Sequence, residues 1–229
     1  MTTGLASDRY QLGSYIDLAD LLAIPPDGNR YSRDEAGRLI LMSPDDARFH
    51  GFPLCILAPL LRGLLTRPYR VLHERSIAFS HIYNLRGKLL RESFLGPKTL
   101  APDVACFGRK PGYVRTPRGG TDFAPDGVLL VVEILSRDTW RQDLGLGRAD
   151  KVDKMRSYLE SGVPEYWLLN PAVRHSSCTI PPRGGLFLAR NAQGTGWEEI
   201  RSEKEIVRSR AIPGLAFDLA AYWRECEED

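Results

Sequence analysis

The sequence predicts an α/β (α+β) chain folded as a single domain, and three observations support this. The first is a run of five apolar residues, Val128 to Val132, preceded by Pro125 and Gly127 and closed by a lone acid, Glu133. Short, valine-rich and unbroken, it reads as a strand buried on both faces. The second is a helical pattern from Asp150 to Ser161, and the third is another from Ala47 to Leu65. A length of 229 residues suits one domain with a full core, or a domain with a small appendage, and no internal repeat or convincing inter-domain linker interrupts it.

Taken in order, the chain opens with a short helix expected over Tyr15 to Leu22, capped by Ser14 and ended by Pro25-Pro26. Asp27 to Gly37 is polar and turn-rich, and Arg38 to Met42 reads as a strand stopped by Ser43-Pro44. In the second helix Leu54, Leu57, Leu60, Leu61 and Leu64 recur at helical spacing, with Pro53 and Pro59 marking a start or a kink. His50 near its beginning reads as an exposed or capping histidine. Tyr69 to Phe79 reads as a strand, and Tyr83 to Leu100 as a basic loop or irregular hairpin carrying Arg86, Lys88, Arg91 and Lys98. Those charges make a solvated face or a phosphate contact. Val104 to Phe107 is a short strand after Pro102-Asp103, and Gly108 to Pro125 a long loop. Beyond the central stretch, Phe187 to Ala189 and Trp197 suggest a small antiparallel tail, and Pro213 to Trp223 a closing packing segment. The core is thus expected over 14–171, with 172–229 as a C-terminal hairpin and packing segment.

The helix after Glu133 has its own punctuation. Asp150 suits the N-cap with Asp153 three residues on, Gly162 suits a left-handed C′ position, and Pro164 cannot continue the helix. Val152, Met155 and Leu159 form an apolar stripe, with Lys151, Lys154 and Tyr158 beside it and Asp153, Ser157 and Glu160 pointing away. Lys154 therefore stands at the border of the buried face. Its ammonium either reaches towards a sheet or snorkels over the stripe.

An apolar fraction of 43% and a charged fraction of 26% are those of a soluble globular chain. A net charge of +2 neither demands nor excludes a nucleic-acid partner, because a local patch is what matters. Cys55, Cys106, Cys178 and Cys226 are widely spaced without a C-x-x-C pair, which points to buried thiols in a reducing cytosol rather than zinc or disulfides. No apolar stretch is long enough to cross a bilayer and the first residues lack a signal-peptide core, so a cytoplasmic location with no membrane partner is expected. A Ser- or Cys-nucleophile hydrolase finds little support and stays a remote alternative, since there is no G-x-S-x-G and no cysteine in an activating motif.

The chemistry centres on Glu133, because a buried carboxylate is costly unless paired or metal-bound. Asp126 lies seven residues upstream in the same strand, about 23 Å away at roughly 3.3 Å per residue and on the opposite face, so it belongs to the turn. Asp103 begins another strand, which can pair beside the first and bring the two acids together. Two carboxylates suit Mg²⁺ or Mn²⁺, and a nearby lysine could hold water or neutralise a developing phosphoryl charge.

The segments APDVACF, LLVVEILS and DKVDKMRSYLESGVPEYWLLNP resemble the Uma2-like proteins, a branch of the PD-(D/E)XK restriction-endonuclease-like superfamily. YIDLADLLAIPPDGNRY, RLILMSP and PGLAFDLAAYW extend the resemblance over nearly the whole chain. It implies a restriction-endonuclease-like mixed β-sheet flanked by helices, a metal held by Asp103 and Glu133, and Lys154 as the catalytic lysine. The position two residues after the glutamate, the superfamily's usual lysine, is Leu135 here. Ser32 and Arg38 stand where the family commonly shows acids, with Glu35 close by, and either Asp143 or Asp150 corresponds to a family aspartate, Asp150 in better register. The resemblance implies an Mg²⁺- or Mn²⁺-dependent endonuclease acting on DNA, with a homodimer as one way to serve both strands. The alternative it leaves is a catalytically impaired nuclease-fold module that binds nucleic acid or a protein partner.

Overall fold

A computed structural model describes residues 15–16, 30–33, 39–42, 50–90, 99–115, 121–137 and 139–227. The chain divides into two compact units, Met1–Phe49 and His50–Asp229. In the first, β1 (Arg30–Arg33) pairs antiparallel with β2 (Leu39–Met42). The sequence reads 27–37 as turn-rich, yet four of those residues form a strand, because a β-partner follows within reach. The helix expected from Tyr15 to Leu22 lies almost wholly outside the described residues.

The second unit begins with α1 (Phe52–Leu64), β3 (Arg70–His73), β4 (Tyr83–Asn84) and β5 (Val104–Phe107). A hairpin of β6 (Tyr113–Arg115) and β7 (Thr121–Phe123) leads to β8 (Val128–Ile134). Then come α2 (Trp140–Asp143), β9 (Val152–Asp153), α3 (Lys154–Glu160) and β10 (Glu165–Asn170). The chain closes with β11 (Gly184–Arg190), β12 (Trp197–Glu199), β13 (Ile206–Arg208), β14 (Ala216–Asp218) and α4 (Leu219–Glu225).

Six strands form one mixed sheet in the order β12-β11-β10-β8-β5-β3. Only β8 and β10 run parallel, as a strand–helix–strand crossover requires, and the other neighbours are antiparallel. The apolar strand β8 sits at the centre because both its faces are covered. Leu130, Val132 and Ile134 join a core cluster with α1 and α4, while Val131 and Leu135 join another with Trp140 and Tyr158. The result is a mixed sheet flanked by helices on both faces.

Several local expectations change under these long-range contacts. Phe187 to Ala189 and Trp197 belong to β11 and β12 and extend the central sheet instead of forming a separate tail. The loop expected from Gly108 to Pro125 contains the β6–β7 hairpin. The strand expected to run to Phe79 stops at His73, where Glu74 takes φ +47°. Leu60 and Leu64 are exposed while Ala58 is buried, so α1 buries a narrower stripe than its leucines suggest. Of the four free cysteines only Cys106 is buried, and Cys55 is exposed on α1.

The helix α3 starts at Lys154, three residues later than its capping signals suggest. Asp153 is its N-cap, accepting from the Arg156 amide at 2.9 Å, and residues 152–153 pair with β4 instead. Ser157 is fully buried and does not point to solvent. Its Oγ accepts from the Tyr83 amide at 2.9 Å and donates to the Asp153 carbonyl at 2.5 Å, which ties the β4 hairpin to the helix. Gly162 takes φ +80°, the left-handed position that ends the helix.

At the far end of β10, Asn170 is fully buried and organises the following loop. Its Nδ2 donates to the Val173 carbonyl at 3.0 Å and the Ile180 carbonyl at 2.7 Å, and its Oδ1 accepts from the Val173 amide at 2.7 Å. Asn170→Ala is expected to cost about 2–4 kcal/mol in urea denaturation, since it leaves buried backbone groups unpaired.

Candidate active site

Antiparallel register brings the first two acids together. The pairing of β5 with β8 runs to Val104 opposite Val132, and one step further stands Asp103 beside Glu133. Residues directly opposed across a ladder face the same side, with Cβ atoms about 5 Å apart. Asp103 is fixed there by the Ile134 amide, which donates to its Oδ2 at 2.6 Å. Asp126 stays in the turn before β8.

Helix geometry supplies the next two groups. Lys154 and Tyr158, one turn apart on α3, both reach Glu133. Lys154 Nζ lies 3.0 Å from Glu133 Oε2, and the Tyr158 hydroxyl donates to Oε1 at 2.6 Å. The same ammonium lies 2.8 Å from Asp143 Oδ1, and Thr139 Oγ1 donates to Asp143 Oδ2 at 3.2 Å. Tyr166 on β10 anchors this corner by donating to the Asp143 carbonyl at 3.0 Å. Glu133 and Asp143 are each 1% exposed, Lys154 18%. On the outer side, His50 Nε2 lies 3.1 Å from Asp103 Oδ1.

The electrostatics follow from burial and crowding. Burial pushes the Glu133 carboxyl up to about 8, against the downward pull of the Lys154 ammonium and the Tyr158 hydroxyl. Burial raises Asp143 as well, again opposed by Lys154. Burial would lower Lys154, but the charges of Glu133, Asp143 and Asp103 outweigh it and raise its pKa, so it stays an ammonium. For His50 burial is likewise outweighed by the hydrogen bond and charge of Asp103, with Glu133 and Glu74 adding to the rise. The Tyr158 hydroxyl and the Lys154 ammonium meet the two oxygens of Glu133 and favour its ionised form against the larger cost of burial. When all three carboxyls are ionised, their charge exceeds that of the Lys154 ammonium and the His50 ring together.

The structure thus places Asp103, Glu133 and Lys154 together and adds Asp143, Tyr158 and His50. Asp150, in better register by sequence, is an exposed surface residue paired with Arg148 at 3.4 Å, and the aspartate of the cluster is Asp143. The Lys154 spacing to Asp143 is eleven residues and crosses a turn, so periodicity holds no trace of it. His50 is three-quarters covered and faces Asp103, contrary to its reading as an exposed or capping residue. Leu135 is core, 1% exposed, so that position supplies no cation. Ser32 pairs with Ile40 in the first unit, while Arg38, Arg91 and Lys98 lie outside the described residues. Arg86 and Lys88 are exposed beside β4.

Oxygen donors with surplus negative charge are the chemistry that a hard divalent cation needs. Among the described residues, no three His, Cys, Asp or Glu side chains form a ready-made cage. A site of this kind fits an ion held by one or two carboxylates and otherwise by water and substrate. Among the same residues no helix is long and apolar enough to cross a membrane.

The Uma2 family model, described as "Putative restriction endonuclease", matches residues 18–220, and the chain belongs to that family. A crystal structure from Anabaena variabilis ATCC 29413, titled as that of "a putative nuclease belonging to DUF820", is similar at 15% identity and a TM-score of 0.47, over 92% of this chain and 99% of that one. No curated protein matches.

Proposed function

We propose that this chain is a divalent-metal-dependent endonuclease that hydrolyses DNA phosphodiester bonds. The observation that carries the reading is Asp103 and Glu133 side by side across β5 and β8, with Lys154 Nζ 3.0 Å from Glu133. Membership of the family described as "Putative restriction endonuclease" supports it. Asp103 and Glu133 would hold Mg²⁺ or Mn²⁺, and Asp143 would keep Lys154 in place. A bound ion would neutralise charge on a phosphoryl oxygen and acidify water. Lys154 would hold the attacking water or stabilise charge on the reacting phosphate, and Tyr158 would fix the rotamer of Glu133.

The test is calorimetric titration of Mg²⁺ and Mn²⁺ into the wild type, Asp103→Ala and Glu133→Ala, together with nicking of supercoiled plasmid. Binding and nicking in the wild type, lost in both variants while their circular dichroism is unchanged, are the expected results. Nicking that survives Glu133→Ala would sink the assignment. Ser32, at a place where the family commonly carries an acid, motivates a second reading as a non-cleaving binding module. That reading predicts salt-dependent DNA binding with no cleavage under any divalent metal.

A further inference from the structure

Three features outside the carboxylate cluster meet at one end of the sheet. The first is where the loop 171–182 is rooted. Strands β8 and β10 are parallel, and the Leu135 amide donates to the Leu169 carbonyl at 2.8 Å, so this loop leaves the same sheet end as Glu133. The hydrogen bonds of Asn170 hold its shape in advance.

The second is an open cavity of about 530 Å³ in that loop, lined among the described residues by Arg174, His175, Ser176 and Cys178 with apolar neighbours and no acidic side chain. Arg141, exposed on α2, does not line it but reaches its His175: the Arg141 guanidinium stacks on Trp140 at 4.5 Å, and the His175 ring lies 5.1 Å from the same indole. Two residues on, Asp143 points inward to Lys154. The same short helix therefore presents a cation outward and a carboxylate to the site.

The third is an excess of donors around His175. The Ser177 amide points at Nδ1 from 3.1 Å, and Arg141 Nη2 lies 3.1 Å from Nε2. A neutral imidazole has one N–H and one acceptor nitrogen, so one of these two contacts sets a donor against a donor; an imidazolium makes both so. An acceptor anion at the cavity mouth, taking bonds from Arg141 and the ring, resolves that conflict.

We infer that Arg141, Arg174 and His175 bind a phosphate of the nucleic-acid strand that flanks the scissile phosphodiester. The inference rests on the nuclease reading and extends it to where the strand lies. Among the described residues the mouth offers donors and cations and no carboxylate, which suits a phosphate and repels a metal ion. Its openness suits a continuous strand better than an enclosed small molecule.

The test is fluorescence anisotropy of a labelled linear DNA duplex with wild-type protein in chelator, across a salt titration. Arg141→Ala and Arg174→Ala are expected to weaken binding and to lower the slope of log K against log salt by about 0.9 per lost phosphate contact. Arg141→Lys, which keeps the charge, should retain the wild-type slope, and Arg208→Ala, an exposed arginine on β13, should leave it unchanged. Wild-type binding with the same slope in both alanine variants would overturn this inference and leave the nuclease reading standing. An equal loss in Arg208→Ala would overturn it too, as a general charge effect. No duplex binding by the wild type would overturn this inference, while plasmid nicking in Mg²⁺ or Mn²⁺ decides the nuclease reading separately.

Discussion

Lys154→Ala is expected to destabilise the protein by about 3–5 kcal/mol, because it strands two buried carboxylates at once. Glu133 and Asp143 share that one ammonium, at 3.0 and 2.8 Å, and each is 1% exposed, so water cannot replace it. The penalty should depend on pH. At acid pH both carboxyls protonate and the variant recovers part of its stability; towards alkaline pH they must ionise unpaired and the loss grows. Urea denaturation of wild type and variant across pH reads this directly, and equal losses at all pH values would show that Lys154 is not the counter-charge. Where the variant is still folded, nicking should fall by at least about 10²-fold, the scale expected for removing one preorganised charge from a reacting centre.

The wild type itself, in metal-free buffer, should lose stability as pH rises from about 4.5 to about 8, the ordinary and folded values for Glu133. The sign follows from linkage. A carboxyl whose folded pKa lies above its unfolded one binds more protons when folded, so folding is favoured at low pH and loses that advantage as pH climbs through the window. The amplitude is on the order of a few kcal/mol. His50, also raised, adds a change of the same sign from its ordinary 6.5 upward. Glu133→Gln should flatten the curve over that window. Divalent metal bound at Glu133 should flatten it too, since a cation restores the ionised form. Stability that instead rises between those two pH values would rule out a costly buried acid at position 133.

Parts of this site were legible before any coordinate. Glu133 stood out because it ends a run that packing alone would make wholly apolar, and an acid there has no cheap explanation. Asp103 could be separated from Asp126 by strand arithmetic, and Lys154 from Lys151 by its family context and the four-residue step to Tyr158. His50 was not legible, and Asp143 was legible only as an alternative to Asp150. Their neighbours in sequence are those of ordinary surface turns and helix starts, and it is the approach of α3 and β5 that buries them. Asp150 misled because a good N-cap residue was available, while pairing of Val152–Asp153 with β4 claimed the backbone and moved the start of the helix to Lys154.

The same division holds for the fold. Buried strand, amphipathic helix, the Gly162 stop and the Pro-marked start of α1 are written in periodicity and backbone preference, which act over a few residues and so can be read from the string. The β6–β7 hairpin, the joining of β11 and β12 to the central sheet and the sharing of Lys154 between two acids depend on which segments meet. Meetings of that kind are set by the burial of a whole face at once, and no local pattern encodes them.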